Sequence, residues 1–183
     1  MNYSLILLND SADGPGLRTG VYFSGCQKAL EGNACPGCHN SAAWAINSGK
    51  PWTAEAKQKV LDSLSPAYIK GLSILGGEPL SDFNLDKVLD LAKSAKEVQP
   101  EKDIWLWTGY VIDDALSNEK KAKKVREILK YVDVIIDGPF VQELKDVAIR
   151  YRGSTNQRIL KVHHKEETDT PFFEDITENT NLY

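Results

Sequence analysis

Cys26, Cys35 and Cys38 are the only cysteines in a chain of 183 residues, and all three fall within one stretch of 13. Thiolates are nucleophiles and soft metal ligands, and so few, so close together, point to chemistry rather than to a disulfide framework. Cys35 and Cys38 have the C-x2-C spacing that turns two thiolates toward one metal centre. Cys26, one long loop upstream, can supply a third. Three thiolates leave a cubane [4Fe–4S] cluster one short of its usual four cysteines, so its fourth iron is open to another ligand. Three other readings fit the local pattern. Structural zinc would need a fourth ligand, and His39, adjacent to Cys38, is awkwardly placed to share the tetrahedron. A thioredoxin-like dithiol fits Cys35-Pro36-Gly37-Cys38 but leaves Cys26 unexplained. Three free cysteines buried as small hydrophobes is the plainest of the four.

The elements around this stretch follow from residue type. Residues 3–8 read as a short strand, and Asp13-Gly14-Pro15-Gly16 as a turn. Gly20 to Ser24 is β-branched and aromatic, hence a strand, and the cysteine loop leaves its C-terminal end. Asn40 can cap a short helix over Ser41–Asn47, and Thr53 a second one with Ala56, Val60, Leu61 and Leu64 on one face. Leu72 to Leu75 is a strand running into Gly76-Gly77-Glu78-Pro79. Asn84 can cap a helix whose Leu85, Val88, Leu89 and Ala92 share a face. Ile104 to Trp107 is a strand followed by Thr108-Gly109-Tyr110, with Trp105 and Trp107 read as core. A lysine-rich helix over about 119–131 buries Ala122, Val125, Ile128 and Leu129. Val132 to Ile136 is a strand ending in Asp137-Gly138, and Ile159 to His163 a last one. The polar stretch from Tyr151 to Arg158 reads as surface, with arginines able to meet a carboxylate or a partner.

Alternating strands and helices imply parallel β-α units in an α/β fold, either an open sheet or part of a barrel. A full eight-unit barrel takes about 250 residues, so this chain can form only a fraction of one. Cys26, Gly76-Gly77-Glu78, Thr108-Gly109-Tyr110 and Asp137-Gly138 each follow a strand. Parallel strands end along one edge, so these four loops should build one site. The paired glycines let a ligand touch the backbone, and Glu78 can accept from an ammonium group.

Composition narrows the class. The chain reads as one domain, 42% hydrophobic and 26% charged, with a formal net charge of −4. Residues 166–183 hold six acidic side chains and no Lys or Arg, which leaves the rest close to neutral. That excludes the broad basic excess of a nucleic-acid binder, and the acidic tail should be disordered or dock on a basic partner. With no basic leader before its short apolar start and no run of membrane-spanning length, the chain reads as cytoplasmic and not membrane-bound.

Taken in order, these motifs resemble a known family. Asp13-Gly14-Pro15-Gly16, Ser24-Gly25-Cys26, Cys35-Pro36-Gly37-Cys38-His39-Asn40, Leu75 to Leu80, Lys102 to Tyr110, Asp137-Gly138 and Arg152-Gly153-Ser154 are similar to the anaerobic ribonucleoside-triphosphate reductase-activating proteins. Those are radical S-adenosylmethionine (SAM) enzymes, and the likeness runs over residues 1–160. The resemblance implies a partial, open (β/α) barrel of the radical SAM type, mostly parallel with helices outside, as a single domain over 1–165 followed by the acidic tail 166–183. It implies a [4Fe–4S] cluster on Cys26, Cys35 and Cys38, with SAM chelating the fourth iron and touching Gly37, Cys38, His39, Gly76, Gly77 and Glu78. Cleavage of SAM would give methionine and a 5′-deoxyadenosyl radical, which takes hydrogen from a glycine of the partner reductase. An electron donor such as flavodoxin is implied as well. Activation of another glycyl-radical enzyme, or a non-catalytic zinc-binding module, are the rival readings. The family spaces its first two cysteines C-x3-C, whereas eight residues, Gln27 to Ala34, separate Cys26 from Cys35 here. This loop is expected to bulge outward. His39 stands where the family usually has tyrosine.

Overall fold

A computed structural model describes residues 1–165, 168 and 170–178. Eight strands form one sheet: β1 (Asn2–Asp10), β2 (Leu17–Phe23), β3 (Lys50–Pro51), β4 (Ile69–Gly76), β5 (Asp103–Trp107), β6 (Val134–Asp137), β7 (Arg158–His164) and β8 (Pro171–Asp175). Their order is β3-β1-β2-β4-β5-β6-β7-β8. Only the middle four, β2, β4, β5 and β6, are parallel, and the flanking pairings are antiparallel. The expectation of a mostly parallel sheet is therefore corrected to a parallel centre with antiparallel margins. A parallel neighbour needs a crossover long enough to hold a helix. Three connections carry such helices: α2 (Ala54–Ser63), α3 (Leu85–Val98), and the pair α4 (Ile112–Ser117) and α5 (Ala122–Leu129). The short turn from β1 to β2 and the short link from β7 to β8 permit only hairpins. Among the described residues the strand order ends on β3 and β8, with no pairing between them.

Strand alternation sorts the side chains into two sets. Val21, Phe23, Leu72, Ile74, Ile104, Leu106 and Ile135 pack with Val60, Leu64, Val88, Leu91, Ile112, Val125 and Ile128 of the helices. The lysine-rich helix buries Ala122, Val125, Ile128 and Leu129, as its periodicity requires. The opposite face holds a smaller cluster of Trp105, Val134, Ile136 and Ile159, joined by Trp107 and Tyr151. Arg18 lies fully buried on that face. It donates to Ser73 Oγ at 2.8 Å and the Leu72 carbonyl at 3.0 Å, pairs with Asp103 at 2.6 Å, and sits over the Trp105 ring. Satisfying the guanidinium in this way is what makes its burial tolerable.

Local expectations divide by whether tertiary contacts intervene. Thr53 caps α2, its hydroxyl accepting from the Ala56 N–H at 3.2 Å. Asn84 begins α3 without capping it; its amide donates instead to the carbonyls of Ser24 and Glu78. The helix expected over Ser41–Asn47 is only a 3-10 turn at Ser41–Ala43. In the acidic tail, Glu166, Glu167 and Asp169 lie outside the described residues, but Pro171–Asp175 is a strand paired with β7. Phe172 stacks on His163 and Phe173 packs against the main core, so two aromatics anchor a segment whose charge count suggested disorder or a partner. Among the described residues no helix is long and apolar enough to cross a membrane.

Candidate metal and cofactor site

The four parallel strands end along one edge, where their loops line an open cavity of about 430 Å³. Its wall holds Cys26, Lys28, Cys35, Cys38 and His39 after β2, Gly76 to Pro79 after β4, Trp107 to Gly109 at the end of β5, and Gly138 after β6. Phe140, Tyr151, Arg152 and Gln157, from the link between β6 and β7, close the remaining side. The three cysteines are free thiols. Cys26 is buried at the N-terminus of the short helix α1 (Gln27–Leu30), with no hydrogen bond from that turn to its side chain. Burial pushes the Cys26 thiol up, opposed by the nearby backbone N–H groups of Ala29 and Lys28. Cys35 and Cys38 stand half-buried on a turn closed by the Cys38 N–H on the Cys35 carbonyl at 3.2 Å.

Among the described residues, no three His, Cys, Asp or Glu side chains stand close enough to hold a single metal ion. The donor set fits an iron–sulfur cluster on chemical grounds. Three soft sulfur donors face one cavity, and soft thiolates select iron–sulfur clusters among other thiophilic metals. A cubane, with irons at separate corners, also spreads its thiolates wider than one tetrahedral ion does.

The glycine turn is built by close approach of the cysteine loop. The Gly77 N–H donates to the Phe23 carbonyl at 2.7 Å and the Glu78 N–H to the Gly25 carbonyl at 2.9 Å, while the Gly25 N–H reaches the Ala43 carbonyl at 2.7 Å. A Cβ on Gly77 would stand 2.5 Å from the Gly25 carbonyl oxygen and 2.7 Å from that of Ala43. These contacts involve backbone and cannot swing aside, so only glycine fits.

Glu78 has a positioning role that the sequence did not disclose. Its carboxylate is 1% exposed and accepts from the Leu80 N–H at 2.9 Å, the Thr108 hydroxyl at 2.7 Å and the Gly109 N–H at 2.7 Å. It thereby ties the β4 loop to the β5 loop while still lining the cavity. Burial raises its pKa, opposed by the hydrogen bonds from Thr108, Leu80 and Gly109 and by the charge of Lys121.

Of the residues singled out beforehand, Cys26, Cys35, Cys38, His39, Gly76, Gly77 and Glu78 all line the cavity. The His39 ring packs edge-on against Phe140 at 5.2 Å. Gly37 lies beside the wall, at φ +70°, where a Cβ would collide with the Gln142 side chain. Asp137 points elsewhere: buried, it takes two hydrogen bonds from Arg158 and one from the Ile112 N–H, fastening α4 to the end of β6. Several lining residues went unanticipated. Trp107, read as core, is half-buried on the wall, its indole N–H held by the Tyr151 carbonyl at 2.8 Å. Asp13 and Tyr22 are hydrogen-bonded to each other at the cavity, and burial raises the pKa of both. Tyr22 was detectable, since it alternates with core-facing Val21 and Phe23.

A family model described as a 4Fe-4S single cluster domain matches residues 12–160. Fold and site together define an α/β protein of this single-cluster class. The chain is 40% identical over 161 residues to the anaerobic ribonucleoside-triphosphate reductase-activating protein of Vibrio cholerae, spanning 87% of this chain and 97% of that one. It is 37% identical to the Escherichia coli protein of the same name, over 90% of this chain and 99% of that one. The enterobacteria phage T4 counterpart is 39% identical over 87% of this chain and 93% of its own length. No solved structure matches the chain. The chain belongs to the family of anaerobic ribonucleoside-triphosphate reductase-activating proteins.

Proposed function

We propose that this protein is a radical SAM activating enzyme, which reductively cleaves SAM and generates a glycyl radical on the anaerobic ribonucleoside-triphosphate reductase. The observation that carries this reading is the gathering of three free thiols and the loops of all four parallel strands around one cavity, in a chain of this family. Cys26, Cys35 and Cys38 would hold a [4Fe–4S] cluster, which supplies the electron for the cleavage. Gly37, Cys38, His39, Gly76, Gly77 and Glu78 would contact SAM. The glycine turn, packed backbone to backbone on the cysteine loop, fixes that loop beside the ligand rather than opening space for it, and Glu78 holds the β5 loop in place. Residues 1–165 would form the radical SAM domain, an open partial (β/α) barrel, with 166–183 as an acidic appendage. The protein would act in the cytoplasm with a reductant of the flavodoxin kind.

An unclosed sheet suits a large substrate. The family's substrate, by name, is another protein, and a partner's glycine loop can enter where β3 and β8 leave the sheet open. The test is to reconstitute the protein anaerobically with iron and sulfide, reduce it, and add SAM and the reductase. A glycyl-radical EPR doublet on the reductase, with SAM consumed, is the expected result. SAM cleavage accompanied by loss of a free nucleoside, and no radical on the reductase, would overturn the proposal.

A further inference from the structure

The loop between Cys26 and Cys35 stands outward at its tip, where residues 30–33 are exposed, but not at its start. Its first half folds into α1 and bonds back onto two other loops of the site. The Gln27 N–H donates to Ser81 Oγ at 2.9 Å, and Gln27 Oε1 accepts from the Asp82 N–H at 3.2 Å. Lys28 Nζ donates to the Gly109 carbonyl at 2.9 Å and lies 5.6 Å from the centre of the Tyr110 ring. Gly109 is thus held at its N–H by Glu78 and at its carbonyl by Lys28. Lys28 is half-buried and lines the same cavity as the three thiols.

We propose that Lys28, carried by this expanded loop, is a positioning residue of the site: its ammonium closes the wall between the cysteine and β5 loops and sets a fixed positive charge facing the cavity. That charge favours whatever adds negative charge there, namely an electron on the cluster and the carboxylate of an amino-acid-type ligand. Hydrogen bonding and local charge are among the quantities that set a cluster's potential. The inference rests on the radical SAM reading above.

The test compares the parent with Lys28→Met, which keeps the stem and removes the charge, and Lys28→Arg, which keeps the charge. Each is reconstituted anaerobically and assayed for iron and sulfide, for cluster midpoint potential by EPR-monitored redox titration, and for affinity toward S-adenosylhomocysteine, which is not cleaved. Iron content should be the same in all three. At the parent's midpoint, the reduced-to-oxidised ratio of Lys28→Met should fall by roughly several-fold to tenfold, the order expected on removing a unit positive charge from the wall of a partly desolvated site. Its affinity for S-adenosylhomocysteine should weaken in the same direction, and Lys28→Arg should restore both. A Lys28→Met protein with the parent's potential and affinity would show that Lys28 only pins the loop. Loss of both in Lys28→Arg as well would show that the geometry, not the charge, matters. If the parent itself takes up iron but binds no S-adenosylhomocysteine, the radical SAM reading fails and takes this inference with it.

Discussion

Replacing Glu78 by Gln sets two opposed effects against each other at one buried carboxylate. Oε1 accepts from the Leu80 N–H and the Thr108 hydroxyl, and Oε2 from the Gly109 N–H. A glutamine oxygen can keep the first pair, but its NH2 then faces the Gly109 N–H, donor against donor. The variant loses one charge-assisted hydrogen bond, worth about 1.5–3 kcal/mol, and leaves a buried donor unmet. Relief of the buried charge offsets part of this, so a net destabilisation of about 2 kcal/mol is expected at neutral pH. The pH dependence has a definite sign. Burial raises the folded-state pKa of Glu78 above its unfolded value. Its contribution is therefore fully present below the unfolded pKa and is lost as pH rises through the folded one. Glutamine does not titrate, so the gap between parent and variant should narrow from acid to neutral pH. Denaturant melts of both apoproteins across that range measure it. A gap that widens with pH would mean that the three donors, not burial, control the charge state, and would refute the reasoning.

Cys26→Ala, Cys35→Ala and Cys38→Ala should each abolish iron retention after anaerobic reconstitution while changing apoprotein stability by no more than about 1 kcal/mol, read by metal analysis and thermal melting. Gly77→Ala should destabilise by about 1–3 kcal/mol, since the new methyl meets two backbone oxygens, and should lower iron uptake because the same contacts fix the cysteine loop. Truncation after Lys165 removes β8 and the Phe173 packing; a loss of about 1–2 kcal/mol and concentration-dependent association through the bared β7 edge are expected by melting and sedimentation. An unchanged melt would show that β8 adds nothing to the sheet.

What was legible in the sequence depended on how local its cause was. The central strands announce themselves through runs such as Val134 to Ile136, which are apolar because both faces are covered. The alignment of four strand-end loops followed from parallel pairing alone, without any distance. Asn84 does not cap α3 because its competing partners, the Ser24 and Glu78 carbonyls, are supplied by the fold and not by the local sequence. Trp107 packs beside the Trp105 cluster and also lines the cavity, because alternation reports which face a residue takes, not whether that face is covered by side chains or by a cavity. The strand Pro171–Asp175 was hidden by its acidic neighbours, although Phe172 and Phe173 were there to be read.

The expanded cysteine loop shows why length is a poor guide to whether such a segment is ordered. Going from three residues to eight between the first two cysteines raises the closure cost by only about 0.9 kcal/mol, from (3/2)RT ln(8/3). Against that stand the Gln27 and Lys28 bonds to Ser81, Asp82 and Gly109, each worth about 0.5–1.5 kcal/mol net. Ordering the added residues costs more than loop closure alone, yet α1 already satisfies part of their backbone through Leu30 on Cys26 and Glu31 on Gln27. The balance is close enough to zero that stability neither demands nor forbids the expansion. Its lasting consequence is placement. The longer loop begins as a turn of helix at Cys26 and carries a lysine across to the strand-end loop that Glu78 holds from the other side.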